Sequence, residues 1–474
     1  MSLSFPCFNP PLTRLSSPSP YPKPAYANNI PVSHSVCRDL VSLDQPTTNP
    51  FRTMIPLITH FPYLQAIVVA TSAMHLATLH RYHGHSARQE LVDALNAKGK
   101  AIRLLRGAIE DVAREDTSGH GGGGKRTVIL AAIVFFVNLD LIDSGKGGWE
   151  VHVRAAEGLI SSLSRSRRGR GLLLGRKGGV KGNGGGERVG DWGEKEWERG
   201  RKRESQSESE LEPLADAIAA DCLTYRILGS TIGGDAVPGF GDDAIDVLEV
   251  LQRAQAHSYH CCPPSIMGYI LSASQLCAHG GEGAVGNGVG RGSGQRDNGA
   301  ARGMLASLFD QAHNFDVCGW VYNIQGLSPG DDLNARVSIA SAHRAAACLY
   351  ILLVTPSAST DGFMVQEETH EGLILEILHH LKSVPTDHVL LKGTVWPTFM
   401  AGAQTDDPVW RAWCLERLRA VWTLNPWICP WGYIRTAMEM LEQIWTNKAD
   451  VWGKGGTGNW LHRLRNEGGR ALIV

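Results

Sequence analysis

The chain has no C-x-x-C pair. Its ten cysteines stand at 7, 37, 222, 261, 262, 277, 318, 348, 414 and 429, and only Cys261 and Cys262 are neighbours. This spacing excludes the common structural zinc sites, which take two ligands from one tight turn. Scattered thiols in a chain of 474 residues, with no apolar leader at its start, read as reduced core residues rather than a disulfide framework. An excess of one charge is also missing. Lys and Arg number 46 against 47 Asp and Glu, for a net charge of -1, which excludes coating nucleic acid through the whole surface. The longest apolar run, Val128 to Val137, is about half a membrane span, so a soluble chain with no membrane contact is expected. Strand-hairpin signals are missing too.

What remains is helical periodicity. The first folded block runs over residues 49–163. Phe61 to His83 repeats Leu64, Ile67, Val68, Thr71, Met74 and Leu79 at three- and four-residue steps, with Pro62 suited to the first turn. Ala94 to Ala113 is predicted to place Ile102, Leu105, Ile109 and Val112 on one apolar stripe. Val128 to Asp143 is apolar nearly all round, which leaves helix or strand open by pattern alone. Its helical neighbours favour a buried central helix. Trp149 to Leu163 follows, with Val153, Ala156, Ile160 and Leu163 on one face.

Composition divides the rest. Residues 1–48 are rich in Pro, Ser and Asn and are expected to be disordered. Residues 164–212 hold RSRRGRG, GRKGGVKGNGGGER and RGRKRE before the acidic SQSESELE, an expected charged linker. Helical patterning resumes over 213–278, where Pro263 and Pro264 set a helix start. A glycine-rich linker is expected at 279–299. Residues 300–474 carry further helices: Arg302 to Asn314, Ala335 to Val354, Glu367 to Lys382, Val389 to Ala403, Val409 to Leu424 and Tyr433 to Asn447. A last short helix and a packed end are expected in the tail. The expected fold class is all-α, a multi-helix array interrupted by two disordered linkers.

Several stretches resemble chemistry without completing it. Gly119 to Lys125 spells GHGGGGK, but Arg126 stands where a phosphate loop needs Ser or Thr, and no strand precedes it. Asp242, Asp243 and Asp246 spell D-D-x-x-D, the pattern by which all-α isoprenoid-diphosphate enzymes hold magnesium. No second such motif follows, and acids at a helix start complement its dipole. His75, His80, His83 and His85 crowd one helix end without the i, i+4 spacing a metal pair wants. Asp140 and Asp143 share a face and are expected to pair with Lys or Arg of a neighbouring helix. No triad or nucleophile-elbow context occurs. No catalytic residue, metal ligand or cofactor is therefore expected, and the chain reads as a non-enzyme. The basic cluster Arg199, Arg201, Lys202 and Arg203, and the run Arg165 to Arg170, have the composition of nuclear-import or phosphate-binding segments. A solvated linker kept extended by charge is the alternative.

The segments NPFRTMIP, ATSAMHLA, KAIRLLRGAI and LAAIVFFVNLDLIDSGKGGWEVHVRAAEGLI, in this order, resemble the regulatory domain of fungal-specific transcription factors. ADCLTYRILGST, the CCPPS loop, ASAHRAAACLYILL and VLLKGTVWPTFMAGAQTDDPVWRAWCLERLRAV extend the resemblance, which covers roughly residues 49–474. It implies a nuclear transcriptional regulator with an all-α effector domain. Partners implied are other transcription factors or a second copy, met through helix faces. Members often carry a binuclear zinc cluster built from six cysteines. Residues 1–48 hold only Cys7 and Cys37, so no zinc ligand or base contact carries over. DNA would be reached indirectly, or through a module missing from the N-terminus. The alternatives are a helical scaffold or co-regulator that pairs with an intact transcription factor and, more remotely, a magnesium-dependent enzyme using Asp242, Asp243 and Asp246.

Overall fold

A 3-10 segment, Pro50–Thr59, opens the main array, with Asn49 capping it by accepting the Phe51 amide. The structure is a computed structural model. It describes residues 37–38, 40–45, 48–117, 123–176, 191–233, 245–282, 294–327, 332–355, 365–423, 431–452, 459–466 and 471–474. Helices follow one another without a strand among these residues: α1 (Pro62–Tyr82), α2 (Arg88–Thr117), α3 (Gly123–Asp143), α4 (Trp149–Arg176), α5 (Asp191–Gly233), α6 (Val247–Ala254), α7 (Pro264–Glu282) and α8 (Gly294–His313). The second half holds α9 (Val317–Ile324), α10 (Leu333–Val354), α11 (Val365–Lys382), α12 (Val395–Gln404), α13 (Pro408–Thr423), α14 (Gly432–Trp452) and α15 (Trp460–Asn466).

The apolar run read as a central helix is one. Every residue of α3 from Arg126 to Ile142 is buried, and α1, α2, α4 and α5 pack around it. A helix apolar on all sides must be enclosed on all sides. In the second half α10 has the same role, with α7, α8, α11 and α12 against it. By length and composition α1 and α10 could each cross a membrane, yet 72% and 78% of their apolar windows lie inside the fold. Their apolar length is used by the core.

The two expected pairings on α3 form. Lys98 on α2 donates to Asp140 at 2.9 Å, and Arg81 on α1 reaches Asp143 at 3.5 Å. The stripe expected on α2 is corrected. Leu105 and Val112 are buried, but with Ala94 and Ala101 rather than with Ile102 and Ile109, which face outward. Small alanines let α2 lie close to α1, and that contact fixes the rotation of the helix in place of the larger isoleucines.

The folded unit also begins before Asn49. Within the segment expected to be disordered, Cys37, Leu40, Val41 and Ser42 are buried. The reason lies in hydrogen bonds, not periodicity. Asn49 donates to the Cys37 carbonyl at 2.9 Å, the Ser42 amide to His257 O at 2.8 Å, and Lys392 Nζ to Val41 O at 2.6 Å. The expected boundaries at 163 and 213 fall inside helices: backbone helix continues to Arg176 and resumes at Asp191. Side chains from 166 to 209, and residues 177–190 altogether, lie outside the described residues, as do 283–293 within the second expected linker.

The packed end is present. Ala471 to Val474 are buried, and the Leu472 amide donates to Gly145 O at 3.0 Å in the turn between α3 and α4. Tyr433 on α14 donates to Val474 O at 2.8 Å. Gly145 has φ +67°, and a Cβ there would stand 2.6 Å from Tyr433 Cβ and 2.9 Å from Leu472 O. The turn therefore needs glycine for its conformation and for its closeness to the tail.

Candidate functional site

Helix α5 turns three polar groups inward on one face, Asp221, Thr224 and Tyr225, among apolar neighbours that place it in the core. Four other segments meet them. The loop before α7 brings Tyr259 and His260, α10 brings His343, a 3-10 turn at Val389–Thr394 brings Lys392, and α12 brings Trp396. His343 Nε2 donates to the Gly393 carbonyl at 2.9 Å, and its ring stacks on Trp396 with centroids 5.8 Å apart. His260 lies against Tyr259 at 3.8 Å and edge-on to Tyr225 at 6.3 Å. Tyr225 in turn donates to Asn138 on α3 at 3.3 Å. Close backbone packing holds the cluster shut: a Cβ on Gly393 would stand 2.5 Å from Tyr259 O.

Burial dominates its electrostatics. It pushes the Asp221 carboxyl well above the usual carboxylate range, only partly opposed by the nearby Lys392 ammonium. It holds His343 down at about 4, against the raising effect of the Gly393 and His260 carbonyls. His260 is pushed well below the usual histidine range by burial, then by His343 and Lys392. Asp221 Oδ2 and both ring nitrogens of His260 lack a hydrogen-bond partner. Burial disfavours the charged form of a carboxyl and of an imidazole alike, which is why the two kinds of group shift in opposite directions here. Perturbed groups of this kind mark functional sites more often than chance.

A second network reaches this cluster from the chain's last helix. Trp396 Nε1 donates to Thr231 Oγ1 at 3.2 Å, and Arg465 on α15 donates to Thr231 O at 2.9 Å. Arg465 also reaches the Tyr350 hydroxyl at 2.8 Å, which shares a 2.7 Å hydrogen bond with Ser274. The two networks join α5, α7, α10, α12 and α15.

The positions singled out in the sequence lie elsewhere. Asp246 caps α6, accepting the Glu249 amide at 2.9 Å, while Asp242 and Asp243 lie outside the described residues. Capping is the ordinary use of an aspartate there. In the GHGGGGK segment, residues 118–122 lie outside the described residues, and Lys125 clasps Glu115 at 2.5 Å between α2 and α3. His80 pairs with Glu90 at 3.1 Å, His83 lies edge-on to Tyr82, and His75 is buried. No group of three metal-ligating side chains occurs among the described residues. Arg199, Arg201, Lys202 and Arg203 stand on helical backbone in α5, and their side chains lie outside the described residues. Asp221, His260, His343, Lys392 and Arg465 were not legible, because each comes from a different segment and no local pattern links them.

Comparisons with known proteins agree on one family. The sequence model of the Fungal specific transcription factor domain matches residues 33–473, which takes in the strapped segment before Asn49. The acriflavine sensitivity control protein acr-2 of Neurospora crassa is 49% identical over 447 residues, covering 93% of this chain and 65% of that relative. The chain thus spans a little under two thirds of the relative's length. No solved structure matches. A continuous match across both halves of the array, on an all-α fold, places the chain in the fungal specific transcription factor domain family.

Proposed function

We propose that this chain is the effector part of a fungal-type transcriptional regulator, acting in the nucleus through protein contact rather than catalysis. The observation that carries this reading is the unbroken family match from 33 to 473. The relative's printed name, a control protein for acriflavine sensitivity, fits a regulatory role and suggests that this chain too takes part in the control of such a sensitivity. The buried Asp221–His260–His343 cluster supports a packing role. Its groups face carbonyls and aromatic rings, and no reacting group could reach them without opening the core.

A second reading is a co-regulator that pairs with a DNA-binding transcription factor. Cys37 is buried, and its Sγ donates to Phe51 O at 3.3 Å, so it serves the core of the regulatory domain.

The test follows the tagged chain in cells. Nuclear accumulation, lost when Arg199, Arg201, Lys202 and Arg203 are changed to alanine, together with enrichment at promoters in chromatin immunoprecipitation, is the expected result. A cytoplasmic chain with no promoter enrichment would contradict the proposal. Enrichment that needs a second transcription factor would select the co-regulator form.

A further inference from the structure

Arg417 on α13 is a guanidinium only 4% exposed. Its Nη1 donates to the Val384 carbonyl at 2.7 Å, just past the end of α11. Its Nε and Nη2 are shut off from solvent and have no hydrogen-bond partner. Burial pulls the group down to about 10, so it stays protonated at neutral pH. Arg226 is buried to a similar degree and is paired with Glu157. That is the ordinary arrangement, because the cost of desolvating a charge is offset only by an opposite one. Arg417 has the charge, two unused donors and no carboxylate.

The two unused atoms define the occupant. Nε and Nη2 form one edge of the guanidinium, and their N–H bonds run parallel. That edge matches the two oxygens of a carboxylate lying in its plane. One buried positive charge is balanced by one negative charge, whereas a phosphate dianion would leave an excess in the interior. The surroundings are aromatic. Arg417 Cζ lies over the Trp413 ring, 5.7 Å from its centroid. Trp410 stands edge-on to Trp413 at 6.1 Å, and Lys382 Nζ lies 4.4 Å from the Trp410 centroid. Both indoles are half-buried, so Trp413 touches the guanidinium on one side and solvent on another. Indole rings pack well against flat apolar bodies. Lys382 is exposed at the outer end of this row and attracts an approaching anion.

We propose that Arg417, Trp413 and Trp410 form a binding site for a small organic monoanion, a carboxylate carried on a flat aromatic body. The carboxylate takes Nε and Nη2 of Arg417, and the aromatic body lies against the indoles once the Trp413 ring has turned aside. This goes beyond the regulatory reading and is tested on the purified chain, with no transcriptional readout.

The experiment is isothermal titration calorimetry of the full chain with 2-naphthoate. Two controls separate charge from shape: 2-naphthalenemethanol has the ring without the charge, and inorganic phosphate the charge without the ring. Naphthoate is expected to bind one-to-one, and each control at least about tenfold more weakly. Arg417→Met should weaken naphthoate binding by at least about tenfold. Its melting temperature without ligand should hold or rise, because an apolar chain of similar length replaces an unpaired buried charge. Naphthoate should raise the melting temperature of wild type and leave that of the methionine variant unchanged. Arg417→Lys keeps the charge but lacks the parallel donors, and should weaken binding as Arg417→Met does. Should the methionine variant fail to fold, the lysine variant decides by the same criterion. A wild type that does not bind naphthoate overturns the proposal. So does binding that survives the loss of the guanidinium, or a neutral analogue that binds as tightly as the carboxylate.

Discussion

Gly229 lies in the buried part of α5 beside Trp149, the first residue of α4. A Cβ added there would fall on the indole, 2.9 Å from Cζ3, 3.0 Å from Cζ2 and closer still to Cη2. Ordinary contact begins near 3.4 Å, and the ring cannot fold out of the way as a flexible chain end could. Trp149 is 5% exposed, so no solvent side is open to it. Two effects oppose each other in Gly229→Ala. Replacing a mid-helix glycine gains about 1 kcal/mol of helix propensity. Overpacking a rigid core costs about 1–3 kcal/mol, and a ring that must move bodily belongs in the upper half of that range. The expected net is a loss of about 1–2 kcal/mol. Gly158 on α4 is the control, since nothing lies within 4 Å of its added Cβ. Gly158→Ala should keep the propensity term alone and stabilise by about 0.5–1 kcal/mol. Urea midpoints of the full chain, compared at equal slope, read both. Adding Trp149→Phe to Gly229→Ala should cost less than the two separate losses summed, because the smaller ring vacates the clash. A Gly229→Ala chain as stable as wild type would refute the packing argument.

Three further outcomes are expected. Gly145→Ala should lower stability by about 1–3 kcal/mol, from left-handed strain and the clash with Tyr433 and Leu472, and should speed carboxypeptidase release of the last four residues. Lys98→Met leaves the buried Asp140 with only His152, 3.9 Å away, and should cost about 1–3 kcal/mol in a denaturation midpoint; adding Asp140→Asn should recover part of it. The third outcome concerns pH. His343 is held at about 4 when folded, against 6.5 as its ordinary value, so the unfolded chain binds the extra proton first. Its contribution is whole above about pH 6.5 and is lost as pH falls toward 4, at ~1.4 kcal/mol per pH unit. His260 acts in the same direction and Asp221, whose folded carboxyl is raised, in the opposite one. His343→Gln should therefore flatten the acid side of the melting-temperature profile, and an unchanged slope would remove His343 from the titrating set.

The fold was legible where one residue type dominated one element. Val128 to Val137 could only be enclosed, and the pairing of Asp140 and Asp143 with basic side chains followed from acids on an apolar helix. The rotation of α2 was not legible, because Ile102 and Ile109 are as apolar as Leu105 and Val112. Only the fit of Ala94 and Ala101 against α1 decides which row turns inward. The strap at 37–44 was hidden for a different reason. Its stability comes from Lys392 and Asn49, distant in sequence, and a Pro/Ser-rich neighbourhood masks it. The buried cluster was the least legible, because Asp221, His260, His343 and Lys392 meet only through tertiary packing.

The central claim, that this chain carries the regulatory effector of its family, is tested most directly by tethering. Residues 33–474 fused to an unrelated DNA-binding domain should change transcription of a reporter bearing that domain's site, upward or downward, and Gly145→Ala should weaken the effect in step with the folded fraction. A well-folded, nuclear fusion that leaves the reporter at its basal level would contradict the account.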